Sequence, residues 1–196
     1  TNHMVFGEAN AVLAGDALLS FAPQIILKHS KNLGAEKLIK IMEEYFYAAG
    51  AYGVIAGQVV DIESEKFEVT QEDEQLPEIL NYIHTADLFK LALRTGAIIA
   101  DATDEQLKEI TEFGQTMGVA FQIADDILDV TSTFEQMGKT LGKDKEAEKL
   151  TYVNLYGLEK SKKDLNELLD KCFDILKRNN LQSEIFEQIL NKIRIS

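Results

Sequence analysis

Residues 118–130 read GVAFQIADDILDV, an apolar run broken by Asp125, Asp126 and Asp129. On a helical wheel at 100° per residue, with Gln122 as zero, Gln115, Gly118, Asp125, Asp126 and Asp129 fall within about 40° to 60° on either side. Met117, Ala120, Phe121, Ala124, Ile127 and Leu128 occupy the remainder. Such a helix has a single narrow polar stripe, which predicts a central position with other helices packed around it.

The stripe carries charge without a local partner. No Lys or Arg occurs between Glu109 and Gly138. Ionised carboxylates this close together on a largely buried helix repel one another and lose hydration, so their pKa values rise unless a cation compensates. Oxygen donors with no Cys or His nearby suit a hard ion such as Mg²⁺, which keeps part of its water shell and bridges phosphate oxygens. The alternative is the solvated face of an amphipathic helix. Such faces usually mix Lys and Glu at i, i+4 spacing, and this one has neither.

Immediately beyond the stripe, GKTLGKDKEAEK (138–149) supplies Lys139, Lys143, Lys145 and Lys149, with Gly138 and Gly142 free to bend the chain back. Ammonium groups beside a metal-bearing acidic stripe are what a diphosphate needs. Lys145 reads best as a solvated surface charge, whereas Lys139 and Lys143, each preceded by Gly, read as functional.

Outward from this segment, the chain reads as all-α. It has two prolines, 45% apolar residues and repeated i, i+3, i+4 apolar spacing. The pattern predicts helices at about 7–21, 35–60, 77–100, 104–130, 151–179 and 183–195, with polar loops at 62–75 and 131–149. Thr103 followed by Gln106 forms a capping-box pattern. ANAVLAGDALLSFA (9–22) is also too apolar for a surface helix, which predicts a second central element and makes Asp16 a satisfied buried carboxylate.

Composition narrows the function classes. Thirty-three acidic and twenty basic residues give a net charge of -13, which argues against nucleic acid or an anionic membrane surface as the main partner. The single Cys172 excludes an internal disulfide and a thiolate metal cluster. With no signal-like or membrane-length apolar run evident, a reducing cytoplasm is the expected setting. His3, His29 and His84 show no metal-ligand spacing.

Together with the lysine-bearing segment after it, the aspartate stretch resembles a known motif. GVAFQIADDILDVT (118–131) and GKTLGKD (138–144) are similar to the second aspartate-rich motif of the trans-isoprenyl diphosphate synthases, the helical prenyltransferases that make geranyl, farnesyl and geranylgeranyl diphosphates. FGEANAVLAGDALL (6–19) resembles the helix after that family's first aspartate-rich motif, GQVVDIE (57–63) its GQxxD element, and GAIIA (96–100) a further family segment. The four stretches occur in the family's order.

The resemblance implies an all-α helical bundle around a central cavity, with residues 1–196 as one prenyl synthase domain. It implies Mg²⁺-dependent condensation of isopentenyl diphosphate with dimethylallyl or geranyl diphosphate by a homodimer, giving a short-chain product such as farnesyl diphosphate. It casts Asp125, Asp126 and Asp129 as metal ligands. Gln122, Phe121, Thr85, Lys139, Lys143, Lys149, Gln58 and Asp61 become substrate-binding residues.

The sequence also departs from the family. The first aspartate-rich motif, with the arginine pair that follows it, has no counterpart here. The family's His-x-x-Lys-Thr-Gly pattern is met by YIHTADLFK (82–90), without the lysine before Thr85. The expectation is a fragment, or joined pieces of a longer chain. A non-catalytic fragment or partner subunit stays open as an alternative, as does a class I terpene cyclase, although DDILD departs from a cyclase's second metal motif.

Overall fold

The structure, a computed structural model, describes residues 2–64, 86–131 and 151–194. It divides into two compact units, residues 1–46 and 47–196. The described residues contain no strand.

In the first unit, α1 (Asn2–Phe6) leads into α2 (Glu8–His29), and a short 3₁₀ turn (Lys31–Leu33) precedes α3 (Ala35–Ala49), whose last turn belongs to the second unit. The apolar pattern predicts that α2 stops before Pro23, since proline offers no N–H to the carbonyl four residues back. The helix instead runs two turns further. The carbonyl that Pro23 leaves unpaired is that of Leu19, and the Tyr45 hydroxyl donates to it at 2.9 Å. A non-local hydrogen bond thus replaces the missing helical one.

The prediction of a buried α2 is not met. Only Pro23 is buried along it, and Val12, Leu13, Leu18 and Phe21 are all more than half exposed. Asp16 is exposed as well, not a buried carboxylate. Within its own unit, α2 has only α1, the 3₁₀ turn and α3 to cover it, too little surface for an apolar helix of 22 residues. By length and composition α2 also reaches the level of a membrane span, against the expectation that no apolar run is of membrane length.

The second unit is built around α6 (Asp104–Thr131). Before it come α4 (Val54–Ser64) and α5 (Asp87–Ile99), and after it α7 (Tyr152–Tyr156), α8 (Leu158–Arg178) and α9 (Glu184–Ile193). Two expected continuous helices are each split. The 35–60 helix breaks between Ala49 and Val54, where a side chain at Gly53 would strike the Ala48 carbonyl. The 151–179 helix breaks at Gly157, whose φ of 78° only glycine adopts readily. The expected capping box is formed: Thr103 N donates to Gln106 Oε1 at 2.8 Å, and Gln106 N donates to Thr103 Oγ1 at 3.3 Å.

One side of α6 forms the core. Phe113, Met117, Ala120, Ala124 and Ile127, spaced three or four apart, meet Leu165, Leu169, Cys172 and Leu176 of α8, with Leu190 and Ile193 of α9 closing the cluster. The helices run antiparallel. Arg178 at the end of α8 bridges Glu109 (2.7 Å) and Glu112 (2.5 Å) near the start of α6, and Lys171 reaches Glu112 at 3.1 Å. The Asn179 amide and Arg178 hold the Glu109 carboxyl below its usual range, and Lys171 and Arg178 do the same for Glu112. Burial pushes the Cys172 thiol up to about 12, leaving it inert.

On another side, α5 crosses α6 at two glycines. A methyl group at position 118 would lie 2.5 Å from the Ala86 Cβ and 2.6 Å from its Cα, and one at 114 would lie 3.1 Å from the Lys90 Cα. Arg94 Nη1 donates to Thr111 Oγ1 at 2.6 Å one turn further along. Packed on both sides, α6 has little freedom to rotate.

Two substitutions test this packing. Tyr45→Phe strands the Leu19 carbonyl and is expected to cost about 1 kcal/mol or more, read by denaturant unfolding; an unchanged midpoint would show that water replaces the hydroxyl. Gly118→Ala is expected to destabilise by up to about 3 kcal/mol through overpacking against backbone, outweighing the ~1 kcal/mol gained in helix propensity. Gly15→Ala, where nothing lies within 4 Å, is expected to stabilise.

Candidate active site

The last turns of α6 carry the stripe, and packing separates its three aspartates. Asp125 and Asp129, one turn apart, are half-buried, and Asp125 accepts no hydrogen bond among the described residues. Asp126 lies 100° around the helix from Asp125 and is 8% exposed. Its Oδ2 accepts from the Tyr152 backbone N–H at 2.8 Å, and its Oδ1 accepts from Gln122 Nε2 at 3.2 Å.

Tyr152 is held in turn. Its hydroxyl donates to Asp164 Oδ2 on α8 at 2.7 Å, and its ring lies 4.6 Å from that of Tyr156. Lys160 pairs with the same Asp164 oxygen, and its ammonium sits 4.9 Å from the Tyr156 ring centre. Burial pushes the Asp164 carboxyl up, but the hydrogen bonds from Lys160 and Tyr152 outweigh it and hold the group below its ordinary value.

Of the other residues marked in the sequence, Gln122 is half-buried and turned to Asp126. Phe121 is 44% exposed and pairs with Phe89 of α5 at 5.3 Å between ring centres. Gln58 is exposed on α4 and makes no hydrogen bond to the stripe. Thr85, Lys139, Lys143 and Lys149 lie outside the described residues, as does the side chain of Asp61.

Among the described residues, no three His, Cys, Asp or Glu side chains gather in a metal-binding arrangement. The two stripe carboxylates that lie one helical turn apart are Asp125 and Asp129. Two carboxylates one helical turn apart fit Mg²⁺, which takes one or two protein carboxylates and fills its remaining positions with water and phosphate oxygens. Gln115 Nε2, on the same stripe, is buried without a hydrogen-bond partner among the described residues. Sequence reasoning did not find Tyr152 and Asp164, whose roles depend on contacts across 26 and 12 residues.

An apolar cavity of about 400 Å³, lined by residues including Leu93, Ala97, Ile110, Leu181 and Phe186, lies at the opposite end of α6. Glu109 at its edge is roughly 24 Å along the helix from Asp125 at 1.5 Å per residue, so the cavity is separate from the carboxylates.

An all-helical chain with an aspartate stripe on its central helix defines the class, and comparison with known proteins gives the family. The polyprenyl synthetase family model matches residues 1–193. Farnesyl diphosphate synthase of Bacillus subtilis (strain 168) is 38% identical over 197 residues, covering 98% of this chain and 64% of the relative. Geranylgeranyl pyrophosphate synthase 7, chloroplastic, of Arabidopsis thaliana is 45% identical over 179 residues, covering 90% and 50%. A crystal structure of a Helicobacter pylori geranyltransferase complexed with magnesium and isoprenyl diphosphate superimposes with a TM-score of 0.81 at 29% identity, covering 98% of this chain and 62% of that one. The chain belongs to the polyprenyl synthetase family, and it spans roughly half to two thirds of the length of these relatives.

Tyr152→Phe tests the support beneath the site. The variant loses one donor to Asp164 and is expected to lose about 1 kcal/mol near neutral pH. Because the folded-state pKa of Asp164 is depressed, its contribution is present above the unfolded carboxylate value and lost as pH falls through the folded one. Wild type and variant are therefore expected to draw together only as pH falls below the ordinary carboxylate range, through the depressed folded-state value. Denaturant titrations at pH 7 and pH 3 read this, and a gap of constant size would contradict it.

Proposed function

We propose that this chain contributes to an Mg²⁺-dependent prenyltransferase that condenses isopentenyl diphosphate with an allylic diphosphate, dimethylallyl or geranyl. The product is a short-chain trans-prenyl diphosphate of the farnesyl or geranylgeranyl class. The observation that carries the reading is the half-buried Asp125–Asp129 pair on the central helix of a polyprenyl synthetase family member. The relatives named for farnesyl and geranylgeranyl diphosphate synthesis, and the related structure holding magnesium and an isoprenyl diphosphate, support it.

Mg²⁺ in such a site supplies the positive charge that a departing pyrophosphate needs. Asp125 and Asp129 would hold the ion, with Asp126 beside them. Gln122 and Phe121 would contact substrate, with the aromatic pair Phe89–Phe121 presenting an apolar surface to a prenyl chain. Thr85, Lys139, Lys143 and Lys149 are assigned to diphosphate oxygens, and Gln58 and Asp61 to the second substrate contact. Apolar helix faces keep water from a developing allylic cation. The same reading includes a homodimer and a cytoplasmic setting.

The test is condensation of isopentenyl diphosphate with geranyl diphosphate, with and without Mg²⁺, together with calorimetric binding of inorganic pyrophosphate. Asp125→Ala is expected to lower turnover by about 10²- to 10³-fold and to leave the unfolding temperature unchanged or raised, since it relieves repulsion in the metal-free protein. Wild-type turnover in the variant, or activity independent of Mg²⁺, would contradict the assignment. Mg²⁺-dependent pyrophosphate binding without condensation would favour a non-catalytic subunit.

A further inference from the structure

We propose that Asp126 is a positioning residue rather than a third metal ligand, its carboxylate clasping the Tyr152 amide so that the start of α7 is tied to the last turns of α6, beside Asp125 and Asp129. The inference rests on the prenyltransferase reading for its functional consequence, but the clasp itself stands on geometry.

The sequence offers three aspartates of equal standing, and the structure gives one of them a different task. Asp126 is the buried member, and each of its oxygens accepts a hydrogen bond, one from Gln122 Nε2 and one from the Tyr152 N–H. Tyr152 opens α7, so its N–H is among those that a helix leaves without an internal partner. Thr151 Oγ1 accepts from Asn154 N at 3.2 Å, and Asp126 takes the neighbouring donor. A carboxylate at a helix start also meets the favourable end of the peptide dipoles.

Geometry then ties the end of α6 to the start of α7. The chain leaves α6 at Thr131, five residues beyond Asp126 and about 7.5 Å along the axis at 1.5 Å per residue. It returns at Tyr152, bonded to Asp126 itself and anchored through its hydroxyl to Asp164 of α8. Exit and return are therefore tied to the turns that bear the carboxylate pair. Through Gln122, the same carboxylate orients a side chain one turn before the pair.

A clasp and a metal ligand respond differently to amide replacement. Asn at 126 can still accept from the Tyr152 N–H through its carbonyl oxygen, and its amide can donate to Gln122 once that side chain flips. It cannot replace an anionic ligand. Asp126→Asn, Asp126→Ala and Asp125→Asn would be compared in the full chain by thermal unfolding and by calorimetric binding of inorganic pyrophosphate with Mg²⁺. The expected results are a Tm within about 1 °C of wild type for Asp126→Asn and a loss of about 4 °C or more for Asp126→Ala. Pyrophosphate affinity is expected to stay within about 3-fold for Asp126→Asn and to fall at least 10-fold for Asp125→Asn.

Loss of Mg²⁺-dependent affinity in Asp126→Asn as severe as in Asp125→Asn, at unchanged Tm, would overturn the proposal in favour of direct ligation. Equal loss of Tm in Asp126→Asn and Asp126→Ala would overturn the hydrogen-bond clasp. If wild type bound no pyrophosphate with Mg²⁺, the prenyltransferase reading would fail, and the two Tm values would still decide the clasp.

Discussion

The second unit depends on the close approach of α5 to α6 at Gly114 and Gly118. A helix can present a stripe of carboxylates in a chosen direction only if its rotation about its own axis is fixed. Here the fixing comes from opposite demands on adjacent faces. One face must sink Phe113, Met117, Ala120, Ala124 and Ile127 into the core against α8, while another must stay bare enough for Ala86 to touch backbone. Turning α6 by one residue would drive a side chain into Ala86 and lift the core row away from α8.

Given that rotation, charge is distributed by position. At the start of α6, Glu109 and Glu112 meet Arg178 and Lys171 in an exposed network of the kind that contributes modestly to stability. At its end, Asp125 and Asp129 stand on a segment that the sequence keeps free of Lys and Arg. One helix thus uses carboxylates for attachment at one end and, in the proposed function, for a cation at the other. Asp126 stands at the same end as that pair, yet its carboxylate accepts from the Tyr152 N–H and from Gln122.

Much of this was legible in the sequence because it is local. The α6 periodicity, the Thr103–Gln106 box and the absence of basic residues near the stripe all lie within a few residues of what they govern. What was not legible depends on distant partners. Continuation of α2 through Pro23 depends on Tyr45, 26 residues away from the Leu19 carbonyl it satisfies. The burial predicted for α2 required covering helices that its own unit lacks. The breaks at 50–53 and 157 lie in segments whose apolar spacing continues through them, so periodicity alone could not place them. Asp125 and Asp126 are equivalent on a wheel until Tyr152 and α8 are in place, which no window around residue 126 reveals.

The most direct measurement of the central claim locates the ion. With Mn²⁺ in place of Mg²⁺ and one equivalent of inorganic pyrophosphate, paramagnetic broadening of backbone amide signals reports which residues surround the metal. If Asp125 and Asp129 hold it, signals from Gln122 to Thr131 are lost first and those around Glu109, Arg178 and Asn179, at the other end of α6, stay sharp. Broadening centred on Glu109 and Glu112, or none beyond that of free Mn²⁺, would contradict the assignment of Asp125 and Asp129.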